Sequence, residues 1–157
     1  MENTPNQVLN LLQRICSKQE KCRAEISDYL VKKGIPVEFH EWVLSQLEDG
    51  RFIDEERYAQ AAVRDKFRLN RWGRKKIRHF LETKRIAGER IERALNTLDE
   101  SEYRKMIEEE MHKKLSALPE KDPGSREIKI VRFADSRGYE EEIVREICNI
   151  TGPENLW

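Results

Sequence analysis

The sequence predicts an all-α protein, an elongated tandem array of three three-helix units, and three observations predict it. An isoleucine, an aromatic three residues on and an apolar residue after it run into a basic residue and a turn. The pattern occurs three times, at Ile26–Ile35, Ile77–Ile86 and Ile130–Tyr139, at offsets of 51 and then 53 residues. A period near 50 marks one supersecondary unit stacked several times. Second, the apolar residues that follow keep register: Val43, Leu44 and Leu47 lie 8, 9 and 12 residues past Ile35, as Ala94, Leu95 and Leu98 do past Ile86. Third, apolar residues recur at helical spacing almost everywhere, and the period-two alternation of strands is absent. A short stacked array is far more often a binding surface than an enzyme.

Each element follows from its stripe and its stop signals. Val8, Leu11, Leu12 and Ile15 give the first helix, and Ile26, Tyr29, Leu30 and the stem of Lys33 the second. Gly34 stops the second, Pro36 suits a helix start, and Phe39, Val43, Leu44 and Leu47 make the third before Gly50. Asp54 caps the next helix, with Glu55 and Glu56 complementing its dipole. In that helix Tyr58, Ala61, Ala62 and Leu69 are expected inside. Trp72-Gly73 breaks the chain before the Ile77 helix, and Ile91, Ala94, Leu95 and Leu98 follow. The third copy is the most degraded: Tyr103, Ile107, Met111 and Leu115 line a long helix. Residues Pro119 to Gly124 then read as a loop with Ser125 as a cap, and Ile143, Val144, Ile147 and Cys148 form the last stripe. The expected units are 1–50, 51–99 and 100–150, with a frayed tail over 151–157 around Gly152 and Pro153.

The formal net charge is zero, but it is unevenly spread. Residues 1–50 carry 6 Lys/Arg against 8 Asp/Glu, residues 51–100 carry 14 against 9, and residues 101–157 carry 10 against 13. A basic centre between acidic ends is the quantity to explain. Cys16, Cys22 and Cys148 form no CxxC pair and are odd in number, which argues against a disulfide framework and for thiols in a reducing cytosol. His40, His79 and His112 stand at no metal-ligand spacing from them, so no metal or cofactor is expected. No signal peptide and no apolar run near 18 residues is present, so a cytoplasmic location and no membrane contact are expected.

The stretch Leu47-Glu48-Asp49-Gly50-Arg51-Phe52-Ile53-Asp54-Glu55-Glu56-Arg57-Tyr58-Ala59, followed by Gly73-Arg74-Lys75-Lys76-Ile77 and Leu81, resembles the RecX regulatory proteins. The resemblance is strongest in the centre and extends over most of the chain once the three repeats are aligned. It implies a non-enzymatic regulator that binds the RecA nucleoprotein filament along its groove and inhibits strand exchange and ATP hydrolysis. It also implies weaker contact with single- and double-stranded DNA, made by a monomer. Three features depart from the family pattern. Cys22 stands where a serine capping box is usual, with Glu25 three later; Arg85 replaces the glycine supplied at Gly34 and Gly138; and the net charge is neutral.

The candidate contact residues are Arg64, Lys66, Arg68, Arg71, Trp72, Arg74, Lys75, Lys76 and Arg78, a run with eight basic residues and one acid, Asp65. Such density reads as a phosphate-facing or filament-facing patch, or as a helix face neutralised by Glu55, Glu56 or acids of the next unit. Arg74, Lys75 and Arg78 share one helix face, which His79 extends. Trp72 either stacks on a base or packs its turn, Trp42 reads as an inter-unit contact, and Asp54 with Arg57 reads as a cap and ion pair. The acidic runs Glu108-Glu109-Glu110 and Glu140-Glu141-Glu142 read as solvated faces, or as partners for basic loops. No phosphate loop, nucleophile elbow or ligand set supports catalysis. Two rivals stand beside a RecA regulator: a helix-turn-helix-like module acting directly on DNA, and a plain helical scaffold.

Overall fold

Helix-stop geometry repeats at the predicted interval. The computed structural model describes residues 4–119 and 122–148, and among these it contains nine α-helices and no strand. They are α1 (Pro5–Lys18), α2 (Arg23–Lys32), α3 (Val37–Asp49), α4 (Glu55–Arg68), α5 (Arg74–Thr83), α6 (Gly88–Leu95), α7 (Glu100–Ala117), α8 (Pro123–Arg137) and α9 (Glu141–Cys148). The second helix of each trio ends in the same backbone motif. A residue in the left-handed region, Gly34 (φ +68°), Arg85 (φ +57°) or Gly138 (φ +81°), is followed by one whose N–H reaches back five residues. Those bonds run from Ile35 to Leu30 at 3.0 Å, Ile86 to Leu81 at 3.2 Å and Tyr139 to Ala134 at 3.0 Å. This closure satisfies carbonyls that a helix end otherwise leaves open, and it turns the third helix back onto the first two.

The helices pack in threes, α1–α3, α4–α6 and α7–α9, each around its own apolar cluster. Leu12, Ile26, Leu30, Val43 and Leu47 centre the first, Tyr58, Ala59, Val63, Ile77, Leu81 and Leu95 the second, and Tyr103, Ile107, Met111, Ala134 and Val144 the third. The clusters interlock at their edges. Cys22 and Ala24 at the start of α2 belong to the central cluster, while Phe67 and Leu98 touch both the central and the last. The basic centre thus lies between two partners.

Several expectations are corrected. Leu69 is 80% exposed and Leu11 40% exposed; Leu9, Ala59 and Val63 are buried. Leu69 follows the last residue of α4, so it leaves the stripe that Val63 completes. The loop does not extend to Gly124. Pro123 is the first residue of α8 and Asp122 is its cap, accepting the Ser125 N–H at 3.0 Å. A proline at the first helical position with aspartate before it is a stronger start than serine. Glu110 is buried rather than solvated. The expected tail over 151–157 lies outside the described residues.

Ile77 and Leu81 have no exposed surface, so Ile77→Ala or Leu81→Ala should each cost about 2–4 kcal/mol in denaturant melts; a loss under about 0.5 kcal/mol would contradict the packing. Arg85 holds a conformation that a side chain disfavours by about 1 kcal/mol, and its only ion pair among the described residues, to Asp28 at 3.6 Å, is exposed. Arg85→Gly should therefore stabilise the protein by about that amount, read in the same melts.

Candidate functional surface

The basic run spans the end of α4, the connection to α5 and the first turns of α5. Asp54 caps α4 by accepting the Arg57 N–H at 3.0 Å. After Arg68 the chain passes through Arg71 in the left-handed region (φ +55°) and reaches Gly73, the residue before α5. The third unit seals this connection. Gly73 N–H donates to the Arg137 carbonyl at 2.7 Å, and Lys75 N–H donates to the Gly138 carbonyl at 3.1 Å. These two donors belong to the helix N-terminus, where partners inside the helix are lacking. The backbones approach so closely that a Cβ on Gly73 would collide with the Gly138 carbonyl, and one on Gly138 would collide with Lys76.

Two tyrosines close the flanks. Tyr103 accepts the Arg74 N–H at 2.8 Å and donates its own proton to Glu140. Tyr139 donates to the Arg71 carbonyl at 2.8 Å. The Arg74 guanidinium lies 4.0 Å from the Tyr103 ring centroid and pairs with Glu100 and, at 2.8 Å, with Glu140. Burial pulls this guanidinium down, but its hydrogen bonds with Glu140 and Glu100 outweigh it and leave the pKa raised. Its hydrogen bond with Glu100 in turn holds that carboxyl below the usual range. Burial, with the Glu140 hydrogen bond, pushes the Tyr103 hydroxyl up, and burial pushes Tyr139 up to about 12. Beside them Arg71 pairs with Glu109 at 2.6 Å, and the buried Glu110 has Arg71, Lys113 and Arg137 each at 3.5 Å.

The predicted residues fall into three groups. Arg71, Arg74 and Lys75 face acids of the third unit, Lys75 meeting Asp135 at 3.8 Å, while Arg78 pairs with Glu92 of α6 at 2.7 Å. Arg74, Lys75 and Arg78 therefore each engage a different acid. Lys66 and Lys76 flank the Trp72 ring at 4.9 and 4.5 Å, and Trp72 meets Phe80 edge-on at 6.1 Å. Arg64 and Arg68 project from α4. Among the described residues Arg64 pairs only with its neighbour Asp65, at 3.4 Å, and Arg68 is exposed with no ion-pair partner. Glu56, by contrast, pairs with Arg90 and Arg93 of α6, and has no contact with the basic run among the described residues.

The joint between the first two units brings together the corresponding elements with different chemistry. The Lys84–Arg85 turn sits against the start of α2, with Lys84 3.3 Å from Glu25 and Arg85 3.6 Å from Asp28. Tyr58, four residues past the cap of α4 as Tyr103 is past the cap of α7, faces Cys22 and Glu25. Arg57 reaches back to Glu20 at 2.5 Å. Side chains do here what backbone does at the second joint. Sequence reasoning placed Tyr58 and Tyr103 in apolar stripes and missed their hydroxyls. The Asp-Glu-x-x-Tyr motif, at Asp54–Tyr58 and again at Asp99–Tyr103, was the available signal.

Comparison with known proteins follows this architecture. Residues 54–95 match the family model described as RecX, second three-helix domain. A regulatory protein RecX of Chlorobaculum tepidum is 30% identical over 149 residues, covering 95% of this chain and 91% of that protein. One of Clostridium tetani is 28% identical over 138 residues, covering 87% of this chain, which spans 63% of that protein's length. The crystal structure of RecX from Lactobacillus salivarius superposes with a TM-score of 0.79 at 21% identity, over 92% of this chain and 94% of that one. Among the described residues no helix is long and apolar enough to cross a membrane.

Gly138→Ala should loosen the second joint without unfolding the central unit: thermal melts should split into two transitions, whereas a single unchanged transition would contradict the close approach. Alkaline pH should act on the same joint. Tyr139 is raised from 10.0 to about 12, so the stability it contributes is full below pH about 10 and is lost as pH climbs through about 12. Melts across that window should show the decline, and Tyr139→Phe should make it shallower without abolishing it, because burial raises Tyr103 and Tyr58 as well.

Proposed function

This chain belongs to the RecX family of regulatory proteins, and from that premise we propose that it binds the RecA nucleoprotein filament and inhibits the recombinase and its ATP hydrolysis. The observation that carries the reading is the outward set on the central unit. Arg64, Arg68 and Lys66 beside Trp72 stand clear of the sealed joint, while Arg71, Arg74, Lys75 and Arg78 support them from within their ion pairs and Lys76 donates to the Ser136 carbonyl of the third unit at 3.0 Å. In this reading residues 1–50, 51–99 and 100–150 act as three serial modules, shared along a helical groove, with contact to single- and double-stranded DNA as a weaker second component. The protein acts as a cytoplasmic regulator in DNA repair, recombination and the SOS response, and carries out no chemistry of its own.

Direct DNA reading by α5 is the second possibility, and one observation speaks against it. A recognition helix offers its N-terminal residues to base edges, yet the N–H groups of Gly73 and Lys75 and the Arg74 side chain at that end are occupied by the third unit. Salt discriminates the two, since phosphate-dominated binding weakens steeply with ionic strength.

Arg64 and Arg68 lie one turn apart on α4 and are exposed, so Arg64→Glu with Arg68→Glu should leave melting unchanged, because Glu and Arg have similar helix propensity. The same double variant should lose at least about tenfold in inhibition of RecA-dependent ATP hydrolysis on single-stranded DNA, a change of about 1.4 kcal/mol in binding. Full inhibition by the folded variant would move the contact face elsewhere. Arg74→Glu should instead lower stability, because it sets a carboxylate against Glu100 and Glu140.

A further inference from the structure

The two inter-unit joints differ in what crosses them. At the second, main chain meets main chain through the Gly73 and Lys75 N–H groups. The connection between those units is shared as well, since Leu98 packs against both the central and the last cluster, as Phe67 does. At the first joint no main-chain hydrogen bond joins residues 4–53 to residues 54–148 among the described residues. Its connection belongs to one side. Phe52 and Ile53 pack in the first cluster, and the Phe52 N–H donates to the Leu47 carbonyl at 2.8 Å. Asp54 already caps α4, so the torsions left to change lie between Ile53 and Asp54.

What holds the first joint is a small apolar seat and a set of side chains. Cys22 and Ala24, at the start of α2, are buried in the central cluster. Tyr58 and Glu55 add hydrogen bonds at this seat, to Cys22, Glu25 and the Arg23 backbone. Around it stand three ion pairs of one sense, with the acids on the first unit and the cations on the second. They are Glu20–Arg57, Glu25–Lys84 at 3.3 Å and Asp28–Arg85 at 3.6 Å. Arg57 also donates to the Phe52 carbonyl at 3.3 Å.

These two kinds of contact respond differently to rotation. A backbone N–H···O=C bond weakens steeply when it is bent, so a pair of them fixes an angle. A lysine or arginine on a rotatable stem follows its carboxylate through a change of angle. Exposed pairs of this kind are individually weak and are screened by salt. A cleft of about 660 Å³ between the first two units, with Arg23, Glu41 and Glu48 on one wall and Arg90 on the other, leaves room for movement.

We propose that the first joint is a salt-sensitive hinge. The first unit swings about the Cys22–Ala24 seat, the three ion pairs set its resting angle, and the second and third units move as one body. The array thus carries one adjustable angle, at its N-terminal end. The hinge stands independently of the RecA reading.

Pulsed electron-spin distance measurement tests it, with nitroxides at the exposed Lys32, Gln60 and Glu108, one on each unit. The labels are attached by a chemistry that spares Cys16, Cys22 and Cys148, and circular dichroism checks folding. Raising salt from about 0.1 to about 1 M shortens the screening length from about 10 to about 3 Å. This should broaden the Lys32–Gln60 distance distribution and leave Gln60–Glu108 as narrow as before. Lys84→Glu with Arg85→Glu sets like charges against Glu25 and Asp28, and should broaden the first distance already at low salt. Lys75→Glu spoils the Asp135 pair but not the backbone contact, and should leave the second distance unchanged. A Lys32–Gln60 distribution that stays narrow at high salt or after the charge reversal would overturn the hinge. So would a Gln60–Glu108 distribution that broadens as much as the first.

Discussion

The close backbone approach between Gly73 and Gly138 is the constraint on which the second half of the molecule depends. Two N–H groups at the start of α5 are satisfied by carbonyls from another unit, which is possible only where neither chain carries a Cβ. Once those backbones meet, Arg74 falls between Glu100 and Glu140, Tyr139 reaches the Arg71 carbonyl, and Arg71 meets Glu109 and Glu110. The ion pairs are consequences of that seating. Individually, exposed pairs of this kind contribute little. The first joint shows the alternative: with Cys22 and Arg85 in the glycine positions, the same orientation is held by the Glu25–Lys84 and Asp28–Arg85 pairs and by Tyr58.

This arrangement accounts for the charge distribution. The positive charge over residues 51–100 is shared between both neighbours: Arg57, Lys84 and Arg85 meet Glu20, Glu25 and Asp28 of the first unit, and Arg71, Arg74 and Lys75 meet acids of the third. Glu110 is the extreme case, a buried carboxylate ringed by three cations at 3.5 Å. Burying charge is costly even when paired, and its best-attested return is specificity of arrangement. At the second joint the Arg71–Glu110 pair adds specificity to a face already set by the Gly73–Gly138 seating. Arg64, Arg68 and Lys66 beside Trp72 are left outside the contacts with the neighbouring units.

The repeat was legible in the sequence because each turn leaves a local mark. Ile35, Ile86 and Tyr139 follow the three left-handed residues in register, and the departure at Arg85 is adopted with the same backbone shape. The cores were legible wherever stripes ended inside a helix, as at Leu30 and Leu81. Leu69 was misread because a stripe carries no mark of where the helix stops. Ser125 was misread because Asp122 and Pro123 together outrank it. The roles of Arg71 and Arg74 were legible only as the alternative of neutralisation by acids of the next unit, and that of Glu110 was not: density of like charge reads first as a phosphate-facing patch when the opposing carboxylates lie 26 to 66 residues away in the chain. Gly73 and Gly138 were each read as turn glycines, and nothing local says that they touch.

Native-state hydrogen exchange at the amides of Gly73 and Lys75 tests the central claim most directly. Free N–H groups at a helix start exchange almost as fast as unfolded chain. Sealed by the third unit, both should be protected to nearly the same free energy as the core amide of Ile77. Exchange at the rate of an open helix end would contradict a rigid joint and leave the second and third units as independently moving bodies.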